Sequence, residues 1–403
     1  MEVLFLGCLF NEKEEEALMR KSRIGLPAAV NIFQWNLIKG LERNLSRPVD
    51  IVNVLPVGTY PRYFKDALLP GERWTHSEGA KDLEIGCINL PVLKQAMRAI
   101  ASERAVRRWL STVNGDKKSI IVYSTYLPFL YAVRHVPDGV NVTLVVTDLP
   151  EFYDLASSNS RIKKLLRTIN NKLIYALLKR IDSFVILTEQ MRKPLNVGKK
   201  PYIVVEGLVD VERCADYGAG SSDKKTVLYT GTLNFVYGIM NLINGFSLIR
   251  GENYELWICG SGEAEKTIVD ASKRDSRIRY FGFVSQKEIR KLQRRATVLI
   301  NPRTNDEEYT KYSFPSKTME YMLSGRPVLM YKLEGMPDEY DPCLYYIGGN
   351  QPSDVANSIV EICKKPKAEL DEFGRKAREF VIEKRNCAVQ GKRIIELIET
   401  ING

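Results

Sequence analysis

Ser313-Phe314-Pro315-Ser316-Lys317-Thr318-Met319-Glu320-Tyr321-Met322-Leu323-Ser324-Gly325-Arg326-Pro327 reads as a short helix start built to hold a charged ligand. Pro315 suits the first helical turn, where a missing N–H costs nothing, and Ser313 or Ser316 can cap the free amides. Met319, Met322 and Leu323 fall at i, i+3 and i+4 and are expected to face a core. Gly325 stops the helix and Pro327 prevents its restart, so the pattern predicts a helix over 316–324. Lys317 and Glu320 lie on one face. The start of such a helix exposes unpaired N–H groups at the positive end of its dipole, which suits phosphate. Lys317 adds a full charge there, and Glu320, one turn further in, can accept from sugar hydroxyls. An ordinary amphipathic helix with a surface ion pair has the same spacing.

Outward from this stretch the chain alternates strand and helix. Residues 226–230, 256–259, 278–281, 298–301, 328–331 and 344–347 read as strands, with helices near 239–249, 264–272, 285–295 and 353–364. The first half shows the same rhythm. Strands are expected at 3–10, 49–57, 85–90, 119–126, 141–149, 183–188 and 202–205, with helices at 28–45 and 93–113. Their β-branched and aliphatic composition is what buried parallel strands need. Between 59 and 79 the pattern fails, and Pro61, Pro70, Gly71 and an exposed-looking Trp74 suggest a long loop. A polar stretch at 216–225 lacks periodicity, which places a linker near 206–224. The fold class is therefore α/β, with two doubly wound Rossmann-like domains in tandem and a cleft facing the carboxyl ends of both sheets. The boundaries expected are 1–205, 206–380 and a C-terminal helical piece at 381–403 that could cross back to the first domain.

Composition sets further bounds. A chain of 403 residues is too long for one ordinary core. Seven scattered cysteines without a C-x-x-C pair suggest neither a disulfide framework nor a zinc site, and point to a reducing compartment. The apolar start at residues 1–10 carries Glu2 and runs into the acids Glu12, Glu14, Glu15 and Glu16, so it reads as a buried first strand rather than a signal peptide. No apolar run reaches the length of a membrane span. The net charge of +10 sits in the first half: residues 1–200 carry 30 Lys+Arg against 20 Asp+Glu, and residues 201–403 carry 29 against 29. Its sharpest concentration is 161–180, with seven basic residues and no acid. Ile162, Leu165, Leu166, Ile169, Leu173 and Leu177 form one stripe that is expected to pack on something. The segment is either a sheet-packed helix with a solvated basic face or a docking face for an anionic membrane surface. Nucleic acid is disfavoured, because no nucleic-acid motif or stacking aromatic array accompanies the charge. His76 and His135 are the only histidines, and no chemistry is assigned to them.

The ordered set Tyr229-Thr230-Gly231-Thr232-Leu233, Leu256-Trp257-Ile258-Cys259-Gly260-Ser261-Gly262, Ile278-Arg279-Tyr280-Phe281-Gly282-Phe283-Val284, Val298-Leu299-Ile300-Asn301-Pro302-Arg303 and the helix at 316 resembles the donor-binding half of the retaining glycosyltransferases of family 4, which have the GT-B fold. The likeness covers about residues 225–331, and the first half matches only in its rhythm. It implies an enzyme, hexosyltransferase-like, moving a sugar from a nucleotide-diphosphate donor (a UDP-sugar before a GDP-sugar) to a saccharide acceptor with retained configuration. It implies no cofactor and no metal requirement, and no Asp-x-Asp occurs in the sequence. A saccharide or lipid-linked acceptor in polysaccharide or glycolipid assembly fits the basic first domain, which implies a cytoplasmic protein peripheral on the inner membrane face. A soluble or protein acceptor, or an inactive partner subunit, are the other readings.

The resemblance also assigns residues. Gly231, Thr232, Gly260 and Gly262 let backbone approach the diphosphate, or serve as plain turn residues. Phe283 and Val284 mark the nucleobase pocket, unless Phe283 packs into the core at a strand end. Ser313, Phe314, Pro315, Ser316, Lys317 and Glu320 form the helix start, with Glu320 on the ribose hydroxyls. Two positions depart from the family: Tyr312 stands where a first glutamate is usual, and Tyr237 stands where a lysine commonly precedes Gly238. Glu308 is the substitute candidate for the first, and Lys317, with Arg303 as a second cation, takes the neutralising role. In the first domain Asp148 stands at the carboxyl end of a buried strand, where it can orient or deprotonate the acceptor hydroxyl or simply cap a turn.

Overall fold

The computed structural model describes residues 1–115, 117–152, 161–213 and 224–401, with the side chains of 161–163 and 213 excepted. The chain forms two compact units, Met1–Leu208 with Cys387–Gly403, and Val209–Asn386. The chain passes from one to the other at Leu208/Val209, three residues beyond the expected boundary, and returns at Asn386/Cys387 rather than at 381.

In the first unit, β1 (Glu2–Gly7), β2 (Asp50–Asn53), β3 (Leu68–Leu69), β4 (Glu72–Trp74), β5 (Asp82–Glu84) and β6 (Cys87–Ile88) are followed by β7 (Lys118–Tyr123), β8 (Val140–Val146), β9 (Ser183–Ile186) and β10 (Tyr202–Val204). The sheet order is β10-β9-β8-β7-β1-β2-β5-β4, parallel except for the β4–β5 pair, while β3 and β6 form a separate antiparallel pair. Helices α1 (Glu12–Lys21), α2 (Ala28–Glu42), α3 (Leu93–Thr112), α4 (Leu127–Val133) and α5 (Arg161–Leu177) connect them. The strand expected at 85–90 is reduced to β6, and β5 ends just before it at Glu84. Gly86 and Gly71 touch backbone to backbone, with no room for a Cβ on either, and the chain bends between β5 and β6. The loop expected at 59–79 contains β3 and β4, and Trp74 is half-buried edge-on against Trp35 at 6.1 Å.

The second unit carries β11 (Lys225–Thr230), β12 (Tyr254–Cys259), β13 (Ile278–Tyr280), β14 (Val298–Asn301), β15 (Val328–Met330) and β16 (Tyr345–Tyr346). They form one wholly parallel sheet, β13-β12-β11-β14-β15-β16. Its inner strands β11, β12, β14 and β15 are almost wholly buried, while the edge strands β13 and β16 are only partly so. The unit's helices are α6 (Ile239–Leu248), α7 (Glu265–Arg274), α8 (Gln286–Arg295), α9 (Ser316–Leu323), α10 (Pro352–Lys364) and α11 (Lys367–Lys384), the last packed on α9. The C-terminal piece is two helices. The chain breaks at Arg385, which is 4% exposed and held by Tyr340 at 2.8 Å and by Glu339. Then α12 (Cys387–Ile401) packs in the first unit against α2, where Gly40 and Gly391 bring the two backbones into contact.

His76 has a structural role. Its Nδ1 lies 2.7 Å from Asp82 and its Nε2 2.9 Å from Glu42, with 8% of its side chain exposed. Burial alone would lower its pKa, but the hydrogen bonds and charges of Asp82 and then Glu42 outweigh that and raise it to about 9. The folded value lies above the unfolded one, so this contribution is complete below about pH 6.5 and is lost as pH rises through about 9. The thermal midpoint should therefore fall between about pH 7 and 10 in the wild type. In a His76→Gln variant, measured by calorimetry, that decline should be smaller.

Candidate active site

All strands of the second sheet run parallel, so their carboxyl ends share one edge, and the motifs quoted from this half of the sequence gather there. Tyr321 of α9, fully buried, accepts from the Thr230 N–H at 2.8 Å and donates to the Thr230 carbonyl at 3.0 Å. This fixes α9 to the end of β11. The next residue, Gly231, donates to Cys259 at 3.0 Å, and Gly260 donates to Gly282 at 2.8 Å. A Cβ on Gly260, whose φ is +137°, would run into the Gly231 carbonyl. Leu233 donates to Ser261 at 3.0 Å, and Gly262 packs on the Leu233 carbonyl. Gly231, Thr232, Gly260, Gly262 and residues 282–284 thus form one cluster of loops rich in accessible backbone. Thr232 is exposed and Val284 half-buried against the core. Phe283 is 81% exposed, which removes the reading that it packs into the core.

At α9 the structure corrects the cap. Pro315 is the N-cap residue, outside the helix, and no side chain caps the free amides. Ser316 is exposed, and the Ser313 hydroxyl is buried with no hydrogen-bond partner. Phe314 and Pro315 are buried, Phe314 against Tyr340 at 5.2 Å, which anchors the entry to the helix. Met319, Met322 and Leu323 face the core. At the other end Arg378 donates to the Leu323 carbonyl at 3.1 Å. Lys317 Nζ lies 2.9 Å from Glu320 Oε2, and both side chains are about a third exposed. Glu320 Oε1 accepts from Gln293 Nε2 at 2.9 Å. Gln293, on α8, is 1% exposed and joins the candidate site by this bond; sequence reasoning misses it, and a glutamine beside Leu292 is the one trace it leaves in the sequence. The carboxylate is pinned from two sides with an edge open to solvent, which makes it an oriented acceptor for hydroxyl donors.

Arg303 follows β14. Its guanidinium lies 4.5 Å from the Tyr309 ring centre and 5.7 Å from that of Tyr237. Nearby, the Tyr229 hydroxyl donates to the Thr232 carbonyl at 2.8 Å. Burial and then the neighbouring Tyr237 push its pKa up, while Arg303 pulls it down. Glu308 is exposed in the first position of the short turn Glu308–Tyr312, and the structure does not join it to Lys317 or Glu320, which pair with each other. Asp148 is exposed two residues beyond β8, in the first unit.

The first unit holds a polar cluster that sequence reasoning misses, at the carboxyl ends of β1, β2 and β5. Arg98 donates to Leu55 at 2.7 Å and Lys94 to Val57 at 2.5 Å, bracing the loop after β2. Burial raises Glu84 to about 7 against the lowering effects of Asn53 and Arg98. A surface cavity of about 800 Å³ in the second unit, lined in part by Arg250, Arg274 and Arg277, lies on the opposite edge of its sheet and holds none of these site residues.

Two doubly wound α/β units, the second with glycine loops and a short uncapped helix on one sheet edge, define the fold of the GT-B glycosyltransferases. Residues 224–365 match the family model described as glycosyl transferases group 1. Among solved structures, the chain is similar to sucrose-phosphate synthase from Thermosynechococcus elongatus, at 13% identity and a TM-score of 0.68, covering 100% of this chain and 99% of that one. It is also similar to a point mutant of S. aureus TarM in complex with fondaparinux, alpha-GlcNAc-glycerol and UDP, at 13% identity, TM-score 0.62 and coverage of 99% and 100%. A third likeness is to the lipopolysaccharide outer core galactosyltransferase WaaB, at 14% identity, TM-score 0.63 and 99% of each chain. No curated protein matches the chain.

Tyr321→Phe should leave the Thr230 N–H and carbonyl without their partner and cost about 1–3 kcal/mol of stability, read as a lower midpoint in urea.

Proposed function

We propose that the protein is a retaining glycosyltransferase that moves a sugar from a nucleotide-diphosphate donor, a UDP-sugar before a GDP-sugar, to a saccharide acceptor. The observation that carries this reading is the Lys317–Glu320 pair, pinned by Gln293 at the uncapped start of α9 and joined through Tyr321 to the end of β11. In this reading the diphosphate lies over the amides of Ser316 and Lys317 and the Gly231 and Gly260 backbones. Glu320 accepts from the ribose hydroxyls, and backbone groups of 282–284 meet the base edge. Lys317 and Arg303 neutralise the charge that develops as the glycosidic bond to the diphosphate breaks. Asp148 orients the acceptor hydroxyl, whose proton can pass to the leaving phosphate. The reading calls on no metal, and Glu308 keeps only a marginal role toward the transferred sugar. TarM, one of the similar structures, is recorded with UDP, which favours uridine.

The acceptor in this proposal is lipid-linked, met at an anionic inner membrane face. Its support is α5. Of the stripe expected to pack, four residues do not: Leu165 is 61% exposed, Leu166 57%, Ile169 47% and Leu173 49%. Leu177 is half-buried, the side chain of Ile162 lies outside the described residues, and Ile174 and Leu178 hold the segment to the unit. Exposed Lys164, Arg167 and Lys172 lie among these leucines. A cationic helix showing leucines to solvent suits an anionic bilayer surface. WaaB, whose name refers to lipopolysaccharide, is another of the similar structures.

Donor hydrolysis and transfer measured against a panel of nucleotide sugars test the first part. Lys317→Ala should lower kcat/KM by about 10²–10³-fold, and Glu320→Ala should act mainly through donor KM. Activity unchanged in both would remove the site. Flotation with vesicles containing anionic phosphatidylglycerol tests the second part. Binding should weaken with salt and be lost in a Leu165→Ser/Leu173→Ser variant, whereas salt-insensitive or absent binding would favour a soluble acceptor.

A further inference from the structure

Arg303 carries a guanidinium held by tyrosine rings rather than by a carboxylate. Among the described residues it makes no ion pair, its Nε is buried without an acceptor, and the buried hydroxyls of Tyr309, whose ring it stacks on, and of Ser313, ten residues on, also lack partners. Three buried, unsatisfied polar atoms within eleven residues of chain carry a desolvation cost that a bound polar group would offset. Lys317, in contrast, already has Glu320 as its counter-charge at 2.9 Å. The rings of Tyr309 and Tyr237 hold the guanidinium by cation–π contact, leaving its N–H edge free to donate. The start of α6 adjoins the same place: a Cβ on Gly238 would run into the Pro302 carbonyl, and no side chain caps that helix. Uncapped amides and an unneutralised guanidinium therefore sit on either side of one peptide, Pro302–Arg303.

We infer that Arg303, clamped by Tyr237 and Tyr309, is the principal cation for the donor's diphosphate, serving from the β14 loop the site that a lysine at position 237 would otherwise serve. This rests on the donor reading above and changes its weighting, since Lys317 becomes the partner that orients Glu320. Tyr237 is then a positioning residue: its ring fixes the guanidinium plane in the space a lysine chain would cross. A guanidinium offers planar, two-point contact with phosphate oxygens, which a lysine cannot copy.

Isothermal titration of the full chain with UDP, GDP and the parent nucleosides tests the inference, with thermal midpoints recorded for every variant. Arg303→Ala should weaken the preferred diphosphate about 10- to 100-fold and leave the nucleoside unchanged. Arg303→Lys should fall between the two, and Tyr309→Phe, which keeps the ring, should retain most of the affinity. Tyr237→Lys placed in the Arg303→Ala background should recover most of the loss. An Arg303→Ala protein with wild-type midpoint and wild-type diphosphate affinity would overturn the assignment, and so would a failure of Tyr237→Lys to recover any affinity. If neither diphosphate binds the wild type, the donor reading itself falls.

Discussion

The hydroxyl of Tyr321 satisfies both backbone groups of Thr230, and most of what the second unit offers a ligand depends on that contact. A parallel strand ends with its last N–H and carbonyl unpaired unless something meets them. Here a helix side chain does so, from full burial, and α9 is thereby set at the end of β11. The glycine loops after β11 and β12 then press together without side chains between them, and the free amides of α9 open on the same edge. Packing in the core and exposure at the rim both follow from the two hydrogen bonds of one hydroxyl.

Charge is fixed in the same manner. Glu320 is held by a cation on its own helix and by a buried amide from α8, so its lone pairs point in a fixed direction before any ligand arrives. Arg303 is held by aromatic faces, which orient it without consuming its hydrogen-bonding edge. Preorganisation of this kind is what lets electrostatic groups act on developing charge without first reorganising. In the first unit the opposite arrangement prevails: Lys94, Asp82 and Glu42 direct their polar atoms to backbone and to His76, and Arg98 bonds the Leu55 carbonyl and the Tyr126 hydroxyl, so these groups serve the fold.

The alternation of strand and helix is legible in the sequence because buried parallel strands must be β-branched or aliphatic on both faces. Residues 298–301 read as a strand from that pattern, and β14 occupies those positions. Helix α1 is not legible. It buries no residue and stands on an Asn11 cap, acids in its first turn and bases in its last, so no apolar stripe announces it. The break between α11 and α12 is hidden for another reason, since the bonds that stop the chain at Arg385 come from Tyr340 and Glu339, far away in sequence. For the site, residue types at the helix start and the glycines can be read locally. Gln293, the Tyr321 hydroxyl and the tyrosine clamp on Arg303 cannot, because each acts through a contact between elements. The stripe of α5 shows the limit of periodicity: spacing identifies an apolar face but not what covers it.

A structure of the protein with a bound nucleoside diphosphate tests the central claim most directly. The diphosphate should lie against the first amides of α9 within hydrogen-bond reach of Arg303, with the ribose hydroxyls on Glu320 and the base beside residues 282–284. A nucleotide seated away from that edge of the second sheet, or a Glu320 that stays paired only with Lys317 and Gln293 while the ribose binds elsewhere, would contradict it.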